Sequence, residues 1–289
     1  MIAREFFEYA LSLNADERTL SRCQALRLLG HIALDIAQPR KGLEVYTKSL
    51  NARLEILGPN DPSLADVYDS VACSYTEMGD IENAYKALAK AVEIHNLNDP
   101  KNMSRTDAIF AITNLRAGKP DEALASLRHC WELQGKTQND IAESKYPKHS
   151  GDIVLLARIL YLQGSHEAAR DLASKTITMR KTILGNKGPR VADSMYLVAT
   201  MLKQAGNHAL AAKLLREVVE MSEDVAIMSG HLARALWTLA QIETEKGDED
   251  RAKELRERAK AVKDSIEGRE GSDEETDQGY QCLVSYLLW

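Results

Sequence analysis

Apolar side chains recur along most of this chain at the three- and four-residue spacing of amphipathic helices, and those helices come in pairs. Residues 61–96 show the unit: an apolar-faced helix, a tight turn at Gly79, and a second such helix. Small residues stand where the two helices must cross closely, Ala72 before the turn and Ala84 after it. Tyr68, Val71, Tyr75 and Leu88 fill the space around that crossing. Aligned on the turn, the pattern recurs at Ala37, Gly79, Gly118, Gly164, Gly206 and Gly247, at spacings of 39 to 46 residues. Seven residues before these turns stand Gly30, Ala72, Ala111, Ala157, Ala199 and Ala240; five after them stand Gly42, Ala84, Ala123, Ala169, Ala211 and Ala252. So thin a unit cannot bury its own apolar face, so the copies are expected to stack. A linking segment also recurs, ILGPNDPSLAD at 56–66 and ILGNKGPRVAD at 183–193. In it Gly58 or Gly185 caps the outgoing helix, and Pro62 or Pro189 helps open the next.

These features resemble tetratricopeptide repeats of the longer, kinesin-light-chain type. Arg53-x-x-x-Leu57-Gly58 and Arg180-x-x-x-Leu184-Gly185, each followed by Pro and then Ala-Asp, carry the likeness. The chain departs from the pattern in lacking a Trp early in each first helix, and Ala37 replaces the first turn glycine. The resemblance implies an all-α, right-handed superhelical solenoid of about six helix-turn-helix repeats, whose first helices line a concave groove. Positions thirteen, ten and six before each turn then point into that groove. They yield the candidate peptide-binding residues Arg27, His31, Asp69, Arg105, Arg158, Tyr196, Thr200, Arg234, Trp237 and Gln241. Arg27, Arg105, Arg158 and Arg234 are candidate clamps for carboxylates, and Tyr196 and Trp237 candidate aromatic anchors, because such side chains combine contact area with directional hydrogen bonds.

Along the chain, residues 1–18 read as a half-repeat or N-terminal capping helix. Ala3, Phe7 and Ala10 have the spacing that follows a turn, an arrangement expected of a natural cap or of a sequence cut from a longer parent, the second being favoured. Residues 19–268 hold the six hairpins, with one long polar link from Gln134 to Ser150 that contains Pro147. The last helix keeps a single apolar stripe, Leu255, Ala259, Val262 and Ile266, so its charged faces are expected to lie in water. Residues 269–279 read as an acidic flexible linker. Residues 280–289 are an apolar tail expected to dock on the solenoid or on a partner, which opens self-association or autoinhibition as outcomes.

Composition narrows the function. A net charge of −6 over 289 residues argues against nucleic acid, whose phosphates need a cationic face. Arg4, Glu5 and Glu8 break up any signal peptide, and no uncharged apolar run is long enough for a bilayer. Cys23, Cys73, Cys130 and Cys282 are far apart, as expected of reduced thiols in a cytoplasmic protein. No nucleophile elbow, metal-ligand pair or phosphate loop occurs, so no catalysis, cofactor or metal is expected. The expected function is a non-catalytic scaffold that binds a peptide of another protein in its groove. A sensor array of a larger multidomain signalling regulator and a helical enzyme acting on a small molecule are the alternatives.

Overall fold

The turn residue sets each hairpin. A computed structural model of the chain describes residue 12 and residues 19–146, 149–271 and 273–286. Ala3, Phe7, Ala10, Pro147, Leu287, Leu288 and Trp289 lie outside the described residues. All six turn positions have a left-handed backbone, with φ 56° at Ala37 and between 72° and 85° at the five glycines. Glycine suits this conformation because it has no Cβ to meet the following carbonyl. At each turn the next amide donates to the carbonyl five residues back, as in Gln38 to Ala33 (2.8 Å), Asp80 to Tyr75 (2.9 Å) and Asp248 to Glu243 (2.9 Å). That bond closes the last helical turn and reverses the chain.

The described residues are helical, with turns and loops between, and the chain divides into two units. Unit 1, Met1–Gln138, contains the pairs α1 (Leu20–Asp35) and α2 (Pro39–Leu57), α3 (Ser63–Met78) and α4 (Ile81–Asn98), and α5 (Ser104–Arg116) and α6 (Pro120–Leu133). Unit 2, Asn139–Trp289, contains α7 (Ser150–Leu162) and α8 (His166–Leu184), α9 (Pro189–Gln204) and α10 (His208–Ser222), and α11 (Ser229–Glu245) and α12 (Glu249–Asp264). It closes with a short helix, α13 (Asp277–Gln281). All twelve crossing residues are buried. Gly30 has a specific reason for lacking a side chain, since a methyl there would run into the ring of the buried Tyr46.

The two recurrent arginines hold the links. Arg53 donates from Nη1 to Ser63 Oγ (2.9 Å) and from Nη2 to Gln24 (3.1 Å), and Arg180 donates from Nη1 to the Arg190 carbonyl (2.8 Å). Each guanidinium thus reaches from an outgoing helix to the start of the next, past the glycine that ended its own helix. Both are buried.

In unit 2 the apolar run of α7 is interior, with Ile153, Val154, Leu155, Leu156, Ala157 and Ile159 buried. Along α12, Leu255 and Ala259 are buried and Val262 packs partly against the core, as does Ile266 just after the helix ends. The expectation that the charged faces of α12 lie in water fails at Lys263, which is 0% exposed. The chain after α12 folds back over it, so Lys263 Nζ donates to the Glu274 carbonyl (2.6 Å), lies 3.6 Å from the Glu275 carboxylate and sits 4.7 Å from the centre of the Tyr280 ring. No disulfide joins the cysteines, and no described helix is long and apolar enough to cross a membrane.

Candidate functional site

The positions counted from the turns fall into two groups. In unit 1, α1 supplies Arg27 and His31, α3 supplies Asp69 and α5 supplies Arg105, and each of these side chains is engaged by a neighbour within the unit. Arg105 Nε lies 3.5 Å from Asp69 Oδ2, Thr106 Oγ1 donates to the same oxygen (3.2 Å), and Arg27 lies 3.8 Å from Asp66. His31 Nδ1 lies 2.7 Å from the hydroxyl of Tyr46. Asp69 is 1% exposed, and its other oxygen has no protein hydrogen bond. Burial therefore pushes its carboxyl up to about 7, against the opposing pull of Arg105 and Thr106. Burial also brings His31 down to about 4, with Arg27 and Arg105 adding to it, so the ring is neutral at pH 7.

In unit 2, Arg158 on α7, Tyr196 and Thr200 on α9, and Arg234, Trp237 and Gln241 on α11 surround one cavity of about 300 Å³. Their roles differ. The guanidinium of Arg234 lies over the Tyr196 ring (3.9 Å) and against Asp193 (3.2 Å), whose same oxygen is 3.0 Å from His231 Nε2. Burial pushes the Asp193 carboxyl up, but His231 and Arg234 outweigh it and hold the group below the usual carboxylate range. Arg234 is thus a buried brace. Tyr196 and Thr238 join α9 and α11 by a hydroxyl pair at 2.9 Å.

Arg158, Trp237 and Gln241 instead meet the end of the chain. Trp237 Nε1 donates to Asp277 Oδ1 (2.7 Å), and the Gln241 amide donates to the same oxygen. The Trp237 ring stacks on Tyr280, 4.5 Å between centroids and 13° between planes. Gln281 Nε2 donates to the Tyr196 hydroxyl (2.7 Å). Arg158 donates to the Tyr286 carbonyl (2.9 Å) while its guanidinium lies 4.2 Å from that ring's centre. The fit extends to the backbone, because a methyl at Gly230 on α11 would collide with the Leu283 carbonyl. Tyr280, Leu283 and Val284 are buried, each worth roughly 1.5–3 kcal/mol over exposure.

Counting from the turns missed Arg180, Gly230, Asp277, Tyr280 and Gln281. Arg180 also lines the cavity but comes from a second helix, which the rule did not sample. Its link motif was the available signal. The tail residues follow no repeat, so no spacing pointed to where they land. Among the described residues no three His, Cys, Asp or Glu side chains gather as a metal ion would require.

Two stretches match family models for tetratricopeptide repeats, residues 153–224 and 65–95. No curated protein sequence matches the chain. Among solved structures, a tetratricopeptide repeat protein from Parabacteroides merdae is similar at 14% identity and TM-score 0.55, covering 99% of this chain and 91% of that one. BtubC (BKLC) from P. vanneervenii is similar at 15% identity and TM-score 0.54, covering 84% and 96%. A protein of nearly identical kinesin light chain TPR-like repeats from Podosopora anserina is similar at 21% identity and TM-score 0.53, covering 70% and 95%. At these identities the likeness speaks to the fold. Residues 65–95 and 153–224 are thus tetratricopeptide repeats, and the chain shares the all-helical fold of proteins built from them.

Proposed function

We propose that unit 2 binds a peptide segment of another protein on the face formed by α7, α9 and α11. Tetratricopeptide repeats are in general protein-interaction scaffolds. One observation carries the finer reading: residues 277–286 already lie on this face, held through a carboxylate, an aromatic ring and a backbone carbonyl. Those are the kinds of group that a foreign peptide offers. Arg158, Trp237 and Gln241 supply the matching donors and stacking surface, the combination that dominates protein recognition. The corresponding face of unit 1 supports binding less well, because Asp69 is buried and Arg27, at 15% exposure, is turned towards Asp66. Catalysis finds no support in the cavity, since Asp193 is locked between His231 and Arg234 and its pKa is displaced away from that of a general acid.

The test selects binders from a displayed peptide library with the whole chain, then measures them against Arg158→Glu and Trp237→Ala. Each substitution is expected to weaken binding by at least about tenfold. Selected peptides that bind both variants as well as the parent would remove this face as the site.

A further inference from the structure

We infer that the cavity of unit 2 is a binding site for a small phosphorylated anion. The inference stands whether or not a peptide docks beside it, because it rests on the charges that line the space.

Those charges set the cavity apart from the rest of the chain. Arg158 from α7, Arg180 from α8, Lys203 from α9 and Arg234 from α11 line it, against the carboxylates of Asp193 and Asp277. Four cations and two anions leave an excess of two positive charges, on a chain whose net charge is −6. Walls of low dielectric make such an excess felt more strongly than it would be on an open surface. Both carboxylates are already engaged, Asp193 by Arg234 (3.2 Å) and His231 (3.0 Å), and Asp277 by the Trp237 indole N–H (2.7 Å). Lys203 lies 3.1 Å from Glu245.

Arg158 is in a different position. The groups it meets are a backbone carbonyl and an aromatic ring, and neither neutralises its charge. That charge is felt at Arg180, which is 1% exposed. Burial brings the Arg180 guanidinium down to about 10; Asp193 resists the fall, and Arg190 and Arg158 add to it. Two guanidinium groups that push on each other beside a dry space are an arrangement that a nearby anion relieves.

Size and direction narrow the ligand. At about 300 Å³ the cavity is at the small end of ligand sites, which run from roughly 300 to 1,000 Å³, so its occupant is compact. The cations come from four helices and so approach from several sides. A phosphoryl group presents its oxygens tetrahedrally and accepts from several sides, whereas a carboxylate accepts near one plane. Val154, Leu197 and Trp237 add apolar wall beside the charges, enough for a short carbon skeleton attached to the phosphoryl group.

Calorimetric titration of the whole chain with pyrophosphate, and in parallel with citrate, at constant ionic strength tests this. Pyrophosphate should bind at one saturable site with a Kd below about 1 mM, and more tightly than citrate. Arg158→Gln and Lys203→Gln should each weaken it at least about tenfold. Arg158 also holds the Tyr286 carbonyl, so Lys203→Gln carries the decision, since Lys203 is bonded to Gln241 and Glu245 instead. Arg216→Gln removes an arginine of α10 that is 64% exposed and outside the cavity lining, and should leave the affinity unchanged. No saturable binding, undiminished binding by Lys203→Gln, or an equal loss from Arg216→Gln each overturns the site. Tighter binding of citrate than of pyrophosphate overturns the phosphoryl assignment.

Discussion

Gly79 and Gly30 are both glycine for different reasons, and the two should fail differently. A side chain at Gly79 meets nothing within 4 Å, so Gly79→Ala costs only the left-handed backbone, about 1 kcal/mol. Gly30 has ordinary helical backbone but no room beside Tyr46, so Gly30→Ala should cost about 1–3 kcal/mol through overpacking. Denaturant midpoints of the two variants check the order. Ala37 already bears the backbone cost at φ 56°, and its buried methyl returns up to about 0.8 kcal/mol. Ala37→Gly should therefore change stability little.

Asp69 and His31 give unit 1 opposing pH dependences. The carboxyl of Asp69, near 3.9 when unfolded, rises to about 7, so its contribution is full below pH ~4 and is lost as the pH climbs to about 7. His31 falls from about 6.5 to about 4, so its contribution is present above pH ~6.5 and lost as the pH drops through that interval. The two offset each other in the parent. Asp69→Asn should uncover the histidine, making stability climb more steeply between pH 4 and 6.5 than in the parent. Denaturation at several pH values reads this directly, and parallel curves would refute it.

At the scale of elements, hairpins were legible because their determinants are local. A left-handed turn residue and two small residues at fixed distances are enough to specify a helix crossing, and all six copies are built that way. After α12, the apolar character of the tail pointed to docking, but the place where it lands was not legible. Its partners are far away in sequence, Tyr286 with Arg158 and Gln281 with Tyr196, and nothing periodic joins them. Lys263 is the clearest casualty, a charge in a helical pattern that belongs in water until a later segment covers it. Lys263→Met should keep the packing of the stem but lose the bond to the Glu274 carbonyl, loosening the fold-back by about 1–2 kcal/mol. Amide exchange of Tyr280 and Leu283 should accelerate, with α7 unchanged.

For the molecule as a whole, stacked repeats make stability a sum of neighbours' contributions. Within unit 1, Ala111→Leu should overfill the crossing of α5 with α6 and lower amide protection there, somewhat less in α3 and α4, and least in α1 and α2. Uniform loss across the unit would refute that gradient. The turn-counting rule picked residues in both units, but it could not distinguish side chains bound to one another from side chains that grip a segment of chain. That difference depends on which neighbours happen to carry a complementary charge, as Asp69 and Arg105 do.

The segment lying on α11 is joined to α12 by the short run 265–276. So brief a tether keeps its cargo at an effective concentration on the order of millimolar. A rival at micromolar supply must then bind the bare face about a thousandfold more tightly than the tail does in order to hold half the molecules. Rivals displayed in many copies on one support escape that arithmetic, because their own crowding matches the tail's.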